Sequence, residues 1–159
     1  MIINKLERII KYNFNNVNLL KEALIHSSYS SRSCKKNKKN YERLEFLGDR
    51  VLGLVLAEYV FHVFPEANEG LLNSYYQKYV SQEYLFNYSK KIQLSNFIKT
   101  QKGDKLDDNK SILSDVVESI IGAIYLDSGF TDCKEFIIKE IIGEGIISSK
   151  PVRHPKTIL

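Results

Sequence analysis

Apolar residues recur at helical spacing along most of the chain. Ile2, Ile3, Leu6, Ile9 and Ile10 fall on one face of a first helix. Asn16 is placed to cap a second, which runs through Leu19, Leu20, Ala23 and Leu24. Residues 27 to 40 read as a polar, basic loop. A long helix is predicted over residues 41 to 64, apolar on almost every side, and Pro65 ends it; such a helix belongs at the centre of a domain. After a connection over residues 65 to 70, two further helices cover residues 71 to 80 and 82 to 92, with Ser81 as the cap between them. Residues 99 to 110 form a second polar loop. Ser111 or Ser114 then opens another strongly apolar helix, which closes at Ser128-Gly129. Thr131 caps a last helix through Phe136, Ile137, Ile138, Ile141 and Ile142. With no strand alternation and no internal repeat, the pattern predicts an all-α helical bundle.

Composition supports one domain. A chain of 159 residues, 43% of them apolar, can bury its own core without disulfides or a structural metal. The formal charge of +4 is unevenly placed: residues 32 to 39 carry five bases and residues 150 to 159 three more, which leaves the rest of the chain at −4. An acidic body with basic appendages suits a polyanionic partner touched at its edges. Cys34 and Cys133 lack any zinc spacing and read as inert thiols of a reducing compartment. The most apolar run, residues 51 to 64, is interrupted by Glu58 and His62 and is too short for a bilayer. No secretory signal opens the chain, so the expectation is a cytoplasmic protein with no membrane partner.

The informative residues are those that break the apolar pattern of the two greasiest helices. Glu42, Glu45 and Asp49 follow one another at steps of three and four, and so share a face. Asp115 and Glu118 do the same on the second helix. Buried carboxylates are costly without partners. Each stripe meets a glycine four residues on, Gly53 after Asp49 and Gly122 after Glu118, which suggests that the helices cross closely there and gather Glu45, Asp49, Asp115 and Glu118 into one pocket. Two carboxylates about 4 Å apart repel by roughly 4 kcal/mol at an effective dielectric of about 20, so either protons or a cation must neutralise the cluster. Oxygen donors without His or Cys select a hard ion, magnesium or manganese before zinc, and magnesium so held suits phosphodiester hydrolysis. The plainer alternative makes them surface acids offset by Arg43, Arg50 or Lys110.

The string YERLEFLGDRVL at residues 41 to 52, together with SILSDVVESIIGAIYLD at 111 to 127, resembles the two motif blocks of the ribonuclease III family, the double-stranded-RNA endonucleases. ALIHSS at residues 23 to 28 resembles an earlier block, and Glu69-Gly70 matches the next element, in the same order and spacing. The resemblance implies an all-helical endonuclease domain over residues 1 to 146 that forms a symmetric homodimer. It implies that Glu45, Asp49, Asp115 and Glu118 bind magnesium, with manganese as a substitute, that Asp49 and Glu118 are catalytic, and that Glu118 is tied most directly to the metal. Glu42 and Glu69 fall on acids of a more peripheral role, and Phe46 on the aromatic that inserts into the partner subunit. The implied reaction is hydrolysis of double-stranded RNA to 5' phosphate and 3' hydroxyl ends with short 3' overhangs, in rRNA and mRNA processing, with no small-molecule cofactor.

This chain also departs from the family pattern. Ser74, Tyr75 and Tyr76 occupy positions where the family often carries arginine or lysine, so RNA contacts are expected from Lys78 or from Arg32, Lys35, Lys36, Lys38 and Lys39. Arg50 replaces a residue that is small in many members and is read as lying off the acidic face. His26 reads as a structural or hydrogen-bonding residue, and most of the ten tyrosines as core or half-buried. The ending KPVRHPKTIL resembles the linker and first residues of the double-stranded-RNA-binding domain that follows in this family, so residues 147 to 159 are read as its truncated start. Two other functions fit less of the pattern: a non-catalytic dimeric RNA-binding module, and a helical magnesium-dependent nucleotide hydrolase.

Overall fold

Residues 2–31, 39–101 and 105–144 are described in the computed structural model. They form helices α1 (Ile2–Ile10), α2 (Val17–Ala23), α3 (Ser27–Ser31), α4 (Glu42–Val63), α5 (Glu69–Val80), α6 (Gln82–Lys91), α7 (Lys110–Ser128) and α8 (Phe130–Phe136). A 3-10 turn at Leu94–Phe97 follows α6, and a wider π-helical turn at Ile137–Ile142 continues α8. No strand forms among the described residues. Ile25 and Lys99 make an isolated parallel bridge, in which His26 N–H donates to Lys99 C=O at 2.9 Å and Lys99 N–H to Leu24 C=O at 2.8 Å. Bundle architecture therefore follows the periodicity, and no helix among the described residues is long and apolar enough to cross a membrane.

Helix α7 is the axis of the bundle. Leu113, Ser114, Val116, Val117 and every residue from Ser119 to Ile124 are buried, and α2, α4, α6 and α8 all pack against it. Its most extensive partner is α4, which turns Leu44, Gly48, Val51, Leu52, Val55, Leu56 and Val60 inward. Helix α4 also packs on α5, but leaves Phe46, Leu54 and Phe61 about 60% exposed.

The two central helices touch backbone to backbone. A methyl group on Gly48 would lie 1.7 Å from the carbonyl oxygen of Glu118, and one on Gly122 would lie 2.2 Å from that of Leu44. Gly122 thus has the packing role expected of it, but its partner is Gly48, not Gly53. Gly48 belongs to the inward stripe with Leu44 and Leu52, whereas Gly53 lies a third of a turn away and faces the Tyr76 hydroxyl, 2.8 Å from where a Cβ would be.

Helix ends follow capping chemistry, with corrections. Asn16 and Ser81 cap as expected, accepting from Asn18 N at 3.1 Å and Tyr84 N at 3.2 Å. Asn68 starts α5 two residues earlier than periodicity suggests, by accepting from Leu71 N at 2.9 Å. The cap of α7 is Asn109, which accepts from Ile112 N at 3.0 Å; Ser111 and Ser114 lie inside the helix, where Ser114 donates back to Ser111 C=O at 3.0 Å. Thr131 is likewise inside α8, which starts directly from Gly129 at φ +92° without a side-chain cap. The expected loop over residues 27 to 40 contains α3.

Polar ties finish the frame. The Asp127 carboxylate accepts from Tyr12 Oη at 2.7 Å, Asn15 N at 2.9 Å and Asn16 N at 2.8 Å, which fastens the α1–α2 link to the end of α7. Ser119, fully buried, donates to Ala23 C=O at 2.8 Å and so anchors the end of α2. Cys133 is also fully buried; its thiol is pushed up to about 12 by burial and is inert, as its sequence position suggested.

The two glycine environments should separate in a denaturation experiment. Gly48→Ala forces backbone apart and should cost about 3 kcal/mol or more in urea unfolding. Gly53→Ala displaces only the far end of Tyr76 and removes a helix-interior glycine, so its stability should stay within about 1 kcal/mol of the parent.

Candidate active site

The acids flank the glycine crossing. Gly48 packs on the backbone of Glu118 itself, Glu45 precedes Gly48 by one turn and Asp49 follows it directly, while Asp115 lies one turn before Glu118. Glu45, Asp115 and Glu118 are half-buried, and Asp49 and Glu42 face solvent. Because the backbones touch, the carboxyls of the two helices share one electrostatic environment.

That environment opposes ionisation. Burial, followed by the charge of Asp115, a hydrogen bond with Asp115 and the charges of Glu42 and Asp49, pushes Glu45 up to about 7. Glu118 is pushed up to about 8 by burial and by the charges of Asp49, Asp115 and Glu45, with Arg50 acting in the opposite sense. Asp115 is raised by burial and partly relieved by the Glu45 hydrogen bond and the charge of His26. Burial and crowding thus favour the protonated form of this pair. Tyr41, buried beside the cluster, is pushed up to about 12 by burial and then by Asp115, Glu45 and Glu42.

The geometry has the counterpart of a known fold. The model of the Ribonuclease-III-like family matches residues 16–144. The chain belongs to the ribonuclease III family. It is similar to the ribonuclease 3 of Ehrlichia ruminantium (strain Welgevonden), at 40% identity over 100% of this chain and 70% of the relative. It is similar also to that of Borreliella burgdorferi, at 39% identity over 86% of this chain and 56% of the relative. The chain thus spans 56 to 70% of the length of these two ribonuclease 3 proteins. Among solved structures, the nuclease domain of ribonuclease III from Campylobacter jejuni aligns with a TM-score of 0.80 and 38% identity, covering 88% of this chain and 96% of that one.

Within this ribonuclease III fold the remaining candidates separate. Glu42 adjoins the cluster through its charge on Glu45. Glu69 does not: it lines a cavity of about 650 Å³ between α4 and α5 with Gly53, Ala57, Phe61 and Tyr76, and none of the four acids lines it. Phe46, 64% exposed, borders a groove of about 980 Å³ with Lys39, Arg43, Leu19 and Leu126. Lys78 is exposed, with its ammonium 5.3 Å from the Tyr79 ring centre. Arg32, Lys35, Lys36 and Lys38, together with Cys34 and residues 145 to 159, lie outside the described residues.

Two groups beside the acids were missed or misplaced by the sequence. Tyr41 was hidden because an aromatic at a helix start reads as ordinary packing. Arg50 was read as lying off the acidic face, with offsetting the acids as the alternative; it ion-pairs with Asp49 and places its guanidinium 4.8 Å from the Phe46 ring centre. A long arginine side chain reaches round its helix, which a count of residues per turn does not register. Lys110, a possible counterion, instead pairs with Glu83 at 3.1 Å. His26 has the structural role expected of it: Nδ1 accepts from Ser28 N at 3.1 Å and meets Ser28 Oγ at 2.8 Å, and the ring stacks on Tyr41 at 5.4 Å.

Among the described residues no three acids, histidines or cysteines are arranged to grip one ion as they stand. The donor chemistry nevertheless fits a hard divalent cation. All four groups offer oxygen, three are half-buried, and the pKa shifts show repulsion that such a charge would relieve.

The shifts fix the sign of a pH effect. Carboxyls whose folded pKa is raised bind more protons in the folded than in the unfolded state between pH about 4.5 and about 8, so stability must fall as pH rises through that window. Thermal unfolding in chelator should show Tm dropping from pH 5 to pH 8.5. Glu118→Gln should flatten the drop, and magnesium added at pH 8 should raise Tm of the parent but not of the variant.

Proposed function

We propose that this chain is the catalytic part of a magnesium-dependent endoribonuclease that hydrolyses double-stranded RNA. The observation that carries the reading is the convergence of Glu45, Asp49, Asp115 and Glu118 at the glycine crossing, in an environment that raises the pKa of three of them. Acids half-buried beside the core are tolerated where something uses their charge. The Campylobacter nuclease domain and the two ribonuclease 3 relatives support the same reading.

Glu45, Asp49, Asp115 and Glu118 would hold the magnesium, with manganese as a substitute. Magnesium bound there would supply a Lewis acid for a phosphoryl oxygen and make a bound water more acidic. The protein's own part is to fix and receive. The rigid crossing sets the spacing of the carboxyls, and Glu118 Oε and Asp49 Oδ orient the attacking water and take up its proton. Glu45 and Asp115 would complete the set of oxygen ligands, and a cation held there would favour their ionised forms. Cleavage leaves 5' phosphate and 3' hydroxyl ends.

Two such sites in a homodimer would cut both strands and leave short 3' overhangs. Phe46 is the proposed anchor of that dimer, since it is exposed beside a groove that Leu19, Leu47 and Leu126 also line; the Campylobacter domain has a region involved in dimer formation. An A-form duplex is recognised by shape, phosphates and 2'-hydroxyls, so sequence preference should be limited. Cytoplasmic processing of rRNA and mRNA precursors fits that substrate.

A long RNA duplex incubated with the intact chain tests the proposal. Cleavage should require magnesium, and Glu118→Gln should lower its rate at least about a hundredfold while the variant stays folded. Undiminished cutting by the variant would remove the metal-site argument. Duplex binding without any cutting by the parent would make it a non-catalytic RNA-binding module.

A further inference from the structure

Arg50 lies at the open edge of the acid cluster and touches two groups that matter there. It ion-pairs with Asp49, and its guanidinium lies against the Phe46 ring at 4.8 Å. We infer that Arg50 is a built-in counter-cation that competes with the divalent ion for Asp49 and so sets how much of that ion the site needs. The inference rests on the reading that these acids hold a divalent cation.

Three features make Arg50 suited to this. A guanidinium remains charged at any working pH, and its planar fork matches a carboxylate. The Phe46 face supports its position through a cation–π contact, so holding Asp49 leaves less side-chain freedom to be lost. Its charge also acts on Glu118, across the crossing from Asp49. An ion entering among Asp49, Asp115 and Glu118 must therefore loosen the pair with Asp49 and meet a like charge as it does so.

The competition is graded and not a block. The Arg50 and Asp49 side chains are 66% and 47% exposed, and a solvated pair of this kind is displaced at modest cost. The same exposure makes it sensitive to salt. A neutral side chain at position 50 should then yield a tighter site at low ionic strength, and the gain should fade as salt screens the parent's pair.

Manganese uptake by the intact chain can be followed by electron paramagnetic resonance of the free ion, at low and at high potassium chloride, for the parent, Arg50→Gln and Arg50→Lys. Arg50→Gln should bind Mn2+ about two- to fivefold more tightly at low salt, with the difference narrowing at high salt. Arg50→Lys, which keeps the charge and loses the fork, should fall between it and the parent. The magnesium concentration for half-maximal duplex cleavage should drop by the same factor in Arg50→Gln. Unchanged or weaker Mn2+ uptake by Arg50→Gln would overturn the inference; a raised KM for duplex RNA alongside it would make Arg50 a phosphate contact. Failure of the parent to take up Mn2+ at all would overturn the functional reading as well, and Glu118→Gln, then indistinguishable from the parent, would identify that case.

Discussion

The structure depends on one close approach. Where α4 crosses α7, the residues at the contact are Gly48 and Gly122, and each lies against main-chain carbonyl of the opposite helix. No other residue type allows that spacing, because even a methyl group would overlap a carbonyl oxygen. The acids owe their arrangement to it. Carboxyls on two helices held apart by ordinary side chains would face one another across about 8–10 Å between axes; with backbones in contact, short side chains from both helices reach a common volume.

That arrangement is costly to the fold. Removing several carboxyls part-way from water while crowding them opposes folding whenever they are ionised. The chain answers in three local ways. Glu45 and Asp115 interact through a hydrogen bond, Arg50 sits on Asp49, and His26, oriented by Ser28 and stacked on Tyr41, lies near Asp115. None supplies a full opposite charge at the centre of the cluster. The cost falls on a frame that is firmly tied, through the Asp127 hydrogen bonds at one end of α7 and the Ser119 bond to Ala23 nearer its middle.

Most of the fold was legible because it is helical and local. The order of long helices, the Asn16 and Ser81 caps and the stop at Pro65 all follow from spacing and short-range chemistry. The errors share a cause. Asn109, Ser111 and Ser114 are all plausible caps, and the choice depends on where packing begins the helix, which sequence does not state. Gly53 was preferred over Gly48 because it continued the acidic stripe, although Gly48 lay in the apolar one with Leu44 and Leu52; a glycine that lets helices touch belongs to the buried stripe. In the site, the four acids and Glu42 could be read from helix phase. Tyr41 could not, since it looks like core, and Arg50 could be read only as one of three possible counterions, since it acts through the length of its side chain. Glu69, read from its motif as an acid of a more peripheral role, lies on the α5 side and lines another cavity.

The same helix explains why α4 looked apolar all round. It has three separate duties at 3.6 residues per turn. Leu44, Gly48, Leu52 and Val55 meet α7; Glu42, Glu45 and Asp49 form the acidic edge; Phe46, Leu54 and Phe61 face outward. Two apolar faces separated by an acidic one give little net amphipathicity, so periodicity alone reports a buried helix. Only the outer face distinguishes α4 from α7, which is wrapped by its neighbours. Arg50 spans from the outer face at Phe46 to the acidic edge at Asp49, so one long side chain joins the two faces of a single helix.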